Sequence, residues 1–399
     1  MSLEFLKVFN TTSTDFQGLV LDTAAFIHEA PAVVETFSAV VRSNSTLLVD
    51  AFTWKEAQST NNVKALAAGF QFMWDNNSSI SFDADYIVDI YVPSNVLQSI
   101  KLTGSGNVVV YPHVLANVST QSLVAQVTGS GSLYVQEAAI TLNHLALGVS
   151  GSGDIQFNVP DTKLASVLNM SISGSGNIAL ATTSLLANSV DSSNSGSGKM
   201  YVEASNAIKI SSSVSTSVSG SGQINYYDVA SSCGLHTIIA TGSGSINGGA
   251  LTCSDTKVGL SGSGSVVTSS MQSLIVINSG SGSVSVVGGQ PPIVSGPISI
   301  ATSDPARRAS LAAFPGYKPS HYSIHVSRTD FTWVVALVVG VLVALLACIF
   351  GWRCYRRRNL LSNMASAGPF GEAATPISDA APRFAEAEEQ KTNAVTRAV

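Results

Sequence analysis

The phrase Gly-Ser-Gly opens nine times in this chain, at Gly104, Gly129, Gly151, Gly174, Gly196, Gly220, Gly242, Gly262 and Gly280. The starts lie 25, 22, 23, 22, 24, 22, 20 and 18 residues apart, a mean of 22. A period of this length marks a solenoid, in which each repeat is one coil stacked on the next. Gly/Ser runs are more often flexible linkers. Here, however, the surroundings keep register. Ser or Thr always precedes the first Gly, a polar residue follows the second, and an apolar residue comes next: Val108, Leu133, Ile155, Ile178, Met200, Ile224, Ile246, Val266 and Val284. A linker has no cause to hold an apolar residue at one fixed place nine times.

The local geometry reads from a single coil, 149–159 (VSGSGDIQFNV). After the corner, Asp154, Gln156 and Asn158 are predicted to face outward and Ile155, Phe157 and Val159 inward, the period of two of a strand. Two or three such strands per coil of about 22 residues predict an all-β parallel β-helix, its coils about 4.8 Å apart. Glycine suits the corner for two reasons: it tolerates positive φ, and it has no Cβ to strike the same corner one coil away. The central Ser is expected to bond to its counterparts above and below as a ladder of hydroxyls. An anion-binding nest is the alternative use of such a corner, but no basic residues cluster near it.

Asp89-Ile90-Tyr91-Val92-Pro93, leading into Ser99-Ile100-Lys101-Leu102-Thr103-Gly104-Ser105-Gly106-Asn107-Val108 and then recurrent Ser-Gly-Ser-Gly-x-Ile/Val, resembles the family named "putative auto-transporter adhesin, head GIN domain", over roughly residues 32–290. The resemblance implies a right-handed parallel β-helix at a cell surface, adhesin-like, with no catalytic residues to carry over.

Phe331 to Trp352 is a run of 22 residues without a charge, about 33 Å as a helix and so long enough to span a bilayer. Arg353, Arg356, Arg357 and Arg358 follow at once. By the positive-inside rule the C-terminus is then cytoplasmic and the repeat domain lies outside, at the plasma membrane, as a single-pass type I protein. Sequons for glycosylation at Asn10, Asn44, Asn76, Asn77, Asn117 and Asn169, with none after 353, agree with that side. Cys354 is a palmitoylation candidate. Ala336, Gly340 and Ala344 permit a homodimer through the helix. Met1–Asn10 lacks the basic start and apolar run of a signal peptide, so either the true N-terminus lies upstream of Met1, the favoured reading, or the distal helix itself directs translocation.

The expected order is therefore an irregular N-terminal segment at 1–31 and a β-helix over 32–290. Residues 32–100 are expected to be degenerate capping coils and 101–290 regular ones. A Pro-containing stalk follows at 291–330, then the transmembrane helix at 331–352 and a disordered cytoplasmic tail at 353–399. Within the cap, 46–49 is expected as strand, and 51–72 is ambiguous, with room for a short helix around 63–68.

Ahead of residue 331 there are 13 Lys+Arg against 20 Asp+Glu, and no arginine between Arg42 and Arg307. That balance excludes a nucleic-acid partner, which needs a basic stripe. Cys233 and Cys253 each precede a corner by nine residues. They are therefore stacked neighbours near 5 Å apart, within reach of a disulfide in an oxidising exterior. A β-helix lyase or hydrolase would need two convergent acids. Of Glu137, Asp154, Asp161, Asp191, Glu203, Asp228 and Asp255, only Glu137 and Asp228 share a place in the repeat, and they lie four coils apart. The scattered His28, His113, His144 and His236 and the pair His321 and His325 make no metal site, and no cofactor is implied. The reading is an adhesion or recognition protein with an extracellular glycan or protein ligand. A passive spacer and a carbohydrate-active enzyme are the alternatives. Tyr134, Phe157, Tyr201, Tyr226 and Tyr227 are the candidates for an aromatic row.

Overall fold

The computed structural model describes residues 3–58, 63–72, 80–227 and 231–326. Parallel pairing stacks the coils in register: Val108, Leu133, Ile155, Ile178, Met200, Ile224, Ile246, Val266 and Val284 are partners in succession. None is more than 3% exposed. They form one apolar column through the solenoid, each contributing about 1.5–3 kcal/mol by burial. Because each coil touches only its neighbours, the stack is held step by step.

The corners show why glycine recurs. A Cβ on Gly129 would run into the carbonyl oxygen of Gly104, on Gly151 into that of Gly129, and so on to Gly280 against Gly262. The second glycines repeat the pattern, with Gly131 against Gly106 and Gly282 against Gly264. Left-handed φ plays no part. Among the described glycines it occurs only at Gly288, Gly289 and Gly296, after the array. The expected serine ladder is also replaced. The central serines are all exposed, and stacking hydrogen bonds run through the main chain, as from Ser152 N to Gly129 O at 3.2 Å and Ser175 N to Gly151 O at 3.1 Å. With the amides already bonded along the axis, the hydroxyls face solvent. The collision is between a later Cβ and the backbone of the coil before it, so a coil with none before it needs no glycine there. Gly104 and Gly106 lie against Asp22 and Ala24.

The N-terminal segment is not irregular. Gly18–Leu21 pairs in parallel with Ser99–Leu102 on one side and with 65–68 on the other. Ala25–Glu29 pairs likewise with Val108–Val110 and with 89–92. Residues 18–29 are thus a full coil, with Leu19, Leu21 and Ile27 wholly buried. The described residues between about 30 and 96 make an excursion that caps it. Antiparallel strands close that end: Phe52–Gln58 on Lys64–Phe70, Ser38–Ser43 on Ile80–Val92, and Phe5–Asn10 on Ser38–Ser43. Within the cap, the ambiguous stretch near 63–68 is the strand Lys64–Phe70, and the strand expected at 46–49 is the helix Thr46–Ala51. That helix buries Leu48 and Val49, an arrangement set by packing against the cap and not by propensity.

The expected stalk lies, as far as residue 326, on the solenoid. Ile293–Ser295 and Ser299–Ile300 extend the stack. Residues 301–319 then run back along it as a strap, and Ser320–Val326 pairs antiparallel with 80–86 of the cap. Pro305, Pro315 and Pro319 deny the strap a regular ladder, so it docks mainly by side-chain contacts. The predicted transmembrane helix and tail, with Arg353, Arg356, Arg357, Arg358 and Cys354, fall outside the described residues. Among those described, no helix is long and apolar enough to cross a membrane.

Candidate recognition groove

Beside the inward column runs a second row of register partners: Val109, Tyr134, Gln156, Ala179, Tyr201, Asn225, Asn247 and Val267. The strap follows this row. The Arg308 guanidinium lies 4.9 Å from the Tyr227 ring centroid and 3.7 Å from Glu203, and Ala309 N donates to Glu203 Oε2 at 3.2 Å. The Gln156 amide donates to Ala312 O and accepts from Ala312 N, both at 3.0 Å. Phe314 lies 5.8 Å from Tyr134, and Tyr317 lies 4.8 Å from Phe26. This cover explains why Gln156, an outward residue by its place in the strand, is 7% exposed.

Between row and strap a groove of about 420 Å³ extends over four coils. Its floor passes from Ser132 and Tyr134 through Asp154, Ser175, Asn177 and Ala179 to Ser197, Lys199 and Tyr201, and its far wall is Ala309, Ser310 and Ala312. Ala179 sits in the row between Gln156 and Tyr201, and its small side chain leaves the floor deep there. Part of the lining is already committed. Asp154 Oδ1 accepts from Asn177 N at 2.7 Å and Nδ2 at 2.9 Å, and Asn177 Oδ1 accepts from Lys199 N at 2.9 Å. These side chains tie each coil to the next and leave hydroxyls, one ammonium and tyrosine rings to meet a ligand.

The strap is fastened at the cap by a buried carboxylate. Asp89 is 1% exposed. Its Oδ1 lies 3.0 Å from His28 Nε2, and its Oδ2 accepts from Tyr317 at 2.8 Å and from Arg42, which also reaches the Tyr317 hydroxyl. Burial pushes the Asp89 carboxyl up. The hydrogen bonds from His28, Tyr317 and Arg42, with the guanidinium charge, outweigh it and hold Asp89 below the usual carboxylate range. Burial, the bond to Asp89 and that carboxylate's charge push the Tyr317 hydroxyl up to about 12. The His28 ring lies between Tyr111, 4.7 Å away, and Tyr91, 5.4 Å away. This in-register ring row was missed in the sequence because it forms only when 80–92 folds back beside 25–29.

The sequence candidates are thus divided. Tyr134 and Tyr201 line the groove and Tyr227 sits under Arg308, but Phe157 and Tyr226 are buried inside at 0% and 1% exposure. Burial pushes the Tyr226 hydroxyl up to about 12. Its neighbour His236, wholly buried, is pushed down to about 3 by the same cause. Thr216 links the two, 2.8 Å from the Tyr226 hydroxyl and 3.0 Å from His236 Nε2. Cys233 and Cys253 are register partners with Cα atoms 4.4 Å apart, joined by a disulfide. Asn10 and Asn169 are exposed. The Asn44 amide oxygen is taken by Asp85 N, and the Asn117 amide bonds Thr141 N and Ala139 O. Asn76, Asn77 and Asp228 lie outside the described residues. Glu137 is occupied by the amides of His113 and Ala138, and His321 bonds Asp85. Among the described residues, no group of three or more His, Cys, Asp or Glu is placed to hold a metal ion.

Comparison with known proteins agrees with the residues that carried the resemblance. Residues 73–230 match the model of the family described as "Putative auto-transporter adhesin, head GIN domain". Among solved structures, one described as a putative adhesin from Parabacteroides merdae ATCC 43184 is similar at 16% identity and a TM-score of 0.39, covering 70% of this chain and 95% of that one. Another so described, from Bacteroides fragilis NCTC 9343, has 17% identity and a TM-score of 0.37 over 59% and 97% of the two chains. A third, described as a putative lipid binding protein from Parabacteroides distasonis ATCC 8503, has 15% identity and a TM-score of 0.35 over 75% and 98%. No curated protein matches. The family that the Gly-Ser-Gly phrases resemble is thus the one whose model matches residues 73–230 of this β-solenoid.

Proposed function

We propose that this chain is a single-pass surface protein, anchored in the plasma membrane by 331–352 with the arginines inside, whose solenoid binds an extracellular partner and performs no chemistry. The groove between the Tyr134–Tyr201 row and the strap is the observation that supports it. It is concave and mixed in character, with rings and a few polar groups, as binding sites are. Its one acid, Asp154, is already hydrogen-bonded to Asn177, so it offers no acid pair for hydrolysis. The rival reading is a passive spacer, whose outer face would need no groove.

The test is display of the full chain on cultured cells. An epitope at the N-terminus should be stained on intact cells and one at the C-terminus only after permeabilisation. Ala179→Trp, which fills the groove floor, should abolish adhesion of those cells to extracellular matrix at unchanged surface level. Equal adhesion of both versions would leave the spacer as the better account, and staining of the C-terminal epitope on intact cells would overturn the topology.

A further inference from the structure

The groove also carries information about the shape of its ligand, and this step rests on reading it as the recognition site. It crosses four coils, and its wall on one side is a strap running along the solenoid, so its long axis is the stacking axis. Along that axis the protein repeats about every 4.8 Å, the spacing of neighbouring strands. Ser175 and Ser197, central serines of successive corners, offer the same hydroxyl one step apart, and Asn177 and Lys199 hold the next place on the same two coils. Tyr134 and Tyr201 stand towards the two ends of the floor, three coil steps apart.

We propose that the groove binds an uncharged linear polysaccharide lying parallel to the solenoid axis, about three sugar units long. A pyranose ring and its linkage advance a chain by about one coil step, so successive sugars meet successive coils in the same way. An extended polypeptide advances about 3.4 Å per residue and falls out of step at once. The lining has the matching chemistry. Hydroxyl and amide groups suit a ligand made of hydroxyls, and tyrosine faces suit the apolar face of a sugar ring. A strongly anionic polymer is disfavoured, because Lys199 is the one cation of the lining and Asp154 lies beside it in the groove.

The experiment uses the detergent-solubilised full chain and defined neutral β-linked oligosaccharides of one to six units, with a polyuronate of equal length and an Ala/Ser peptide as comparators. Affinity is expected to rise from one unit to three or four and then level off, and Tyr201→Ala to weaken the trisaccharide about tenfold with melting unchanged. Preference for the polyuronate or the peptide, lost in Ala179→Trp, would overturn the polysaccharide inference while upholding recognition at the groove. No binding of any of the three, together with unaltered cell adhesion of Ala179→Trp, would overturn both.

Discussion

Gln156 and Ala312, 156 residues apart, hold each other by a closed pair of hydrogen bonds: the side-chain amide of the one grips both the N–H and the C=O of the other at 3.0 Å. A strand residue here uses its side chain to bind a backbone that has no ladder of its own. Gln156→Ala should therefore free the strap without unstacking the coils. Hydrogen exchange at Ala309–Ala312 is expected to speed up by at least tenfold, while Ile178 in the apolar column stays protected. Unchanged exchange at Ala312 would show that the strap is held elsewhere.

The corner glycines differ sharply from glycines within strands. Gly153→Ala would drive a methyl into the carbonyl of Gly131, whereas at Gly259 the nearest atom to an added Cβ is Ile238 O at 3.9 Å. The first change is expected to cost about 1–3 kcal/mol, as overpacking does, and the second less than about 0.5 kcal/mol. Similar urea midpoints for the two variants would refute the steric account of the repeat.

Acid should loosen the coils around residue 236. His236 holds its folded pKa near 3 against an ordinary 6.5, so below pH 6.5 the unfolded chain binds a proton that the folded chain refuses. The contribution of this group is fully present above pH 6.5 and drains as pH falls towards 3. Among the described residues its Nδ1 has no partner to stabilise a charge. His236→Leu should reduce the drop in melting temperature between pH 7 and pH 5. An equal drop in both proteins would place the acid sensitivity in other groups.

The Cys233–Cys253 bridge closes a separation of 20 residues, for which the chain-entropy model gives about 3 kcal/mol. Replacing both by Ala should raise exchange through 231–260 and leave 155–200 unaffected, since a solenoid couples mainly nearest neighbours. Alkylation of either thiol in unreduced protein would contradict the bridge.

What was legible in the sequence is what one coil and its neighbour decide. The corner, the inward column from Val108 to Val284 and the Cys233–Cys253 register all follow from a repeat in which the same residue meets its own counterpart one period away. Each coil states the rule again, so the pattern survives variation in any one of them. The tertiary structure alone decided where the array begins, how it is capped and what lies over its outer face. Residues 18–29 are a coil only because 65–68 and 89–92 return to pair beside them. Gln156 is buried, and Tyr317 reaches Asp89 across 228 residues, only because the strap runs back along the stack. These contacts are made once, between segments with no shared period, and a single partner far along the chain leaves no local signal in either segment. The groove is made of both kinds of information: its floor is repeat, and its wall is the strap.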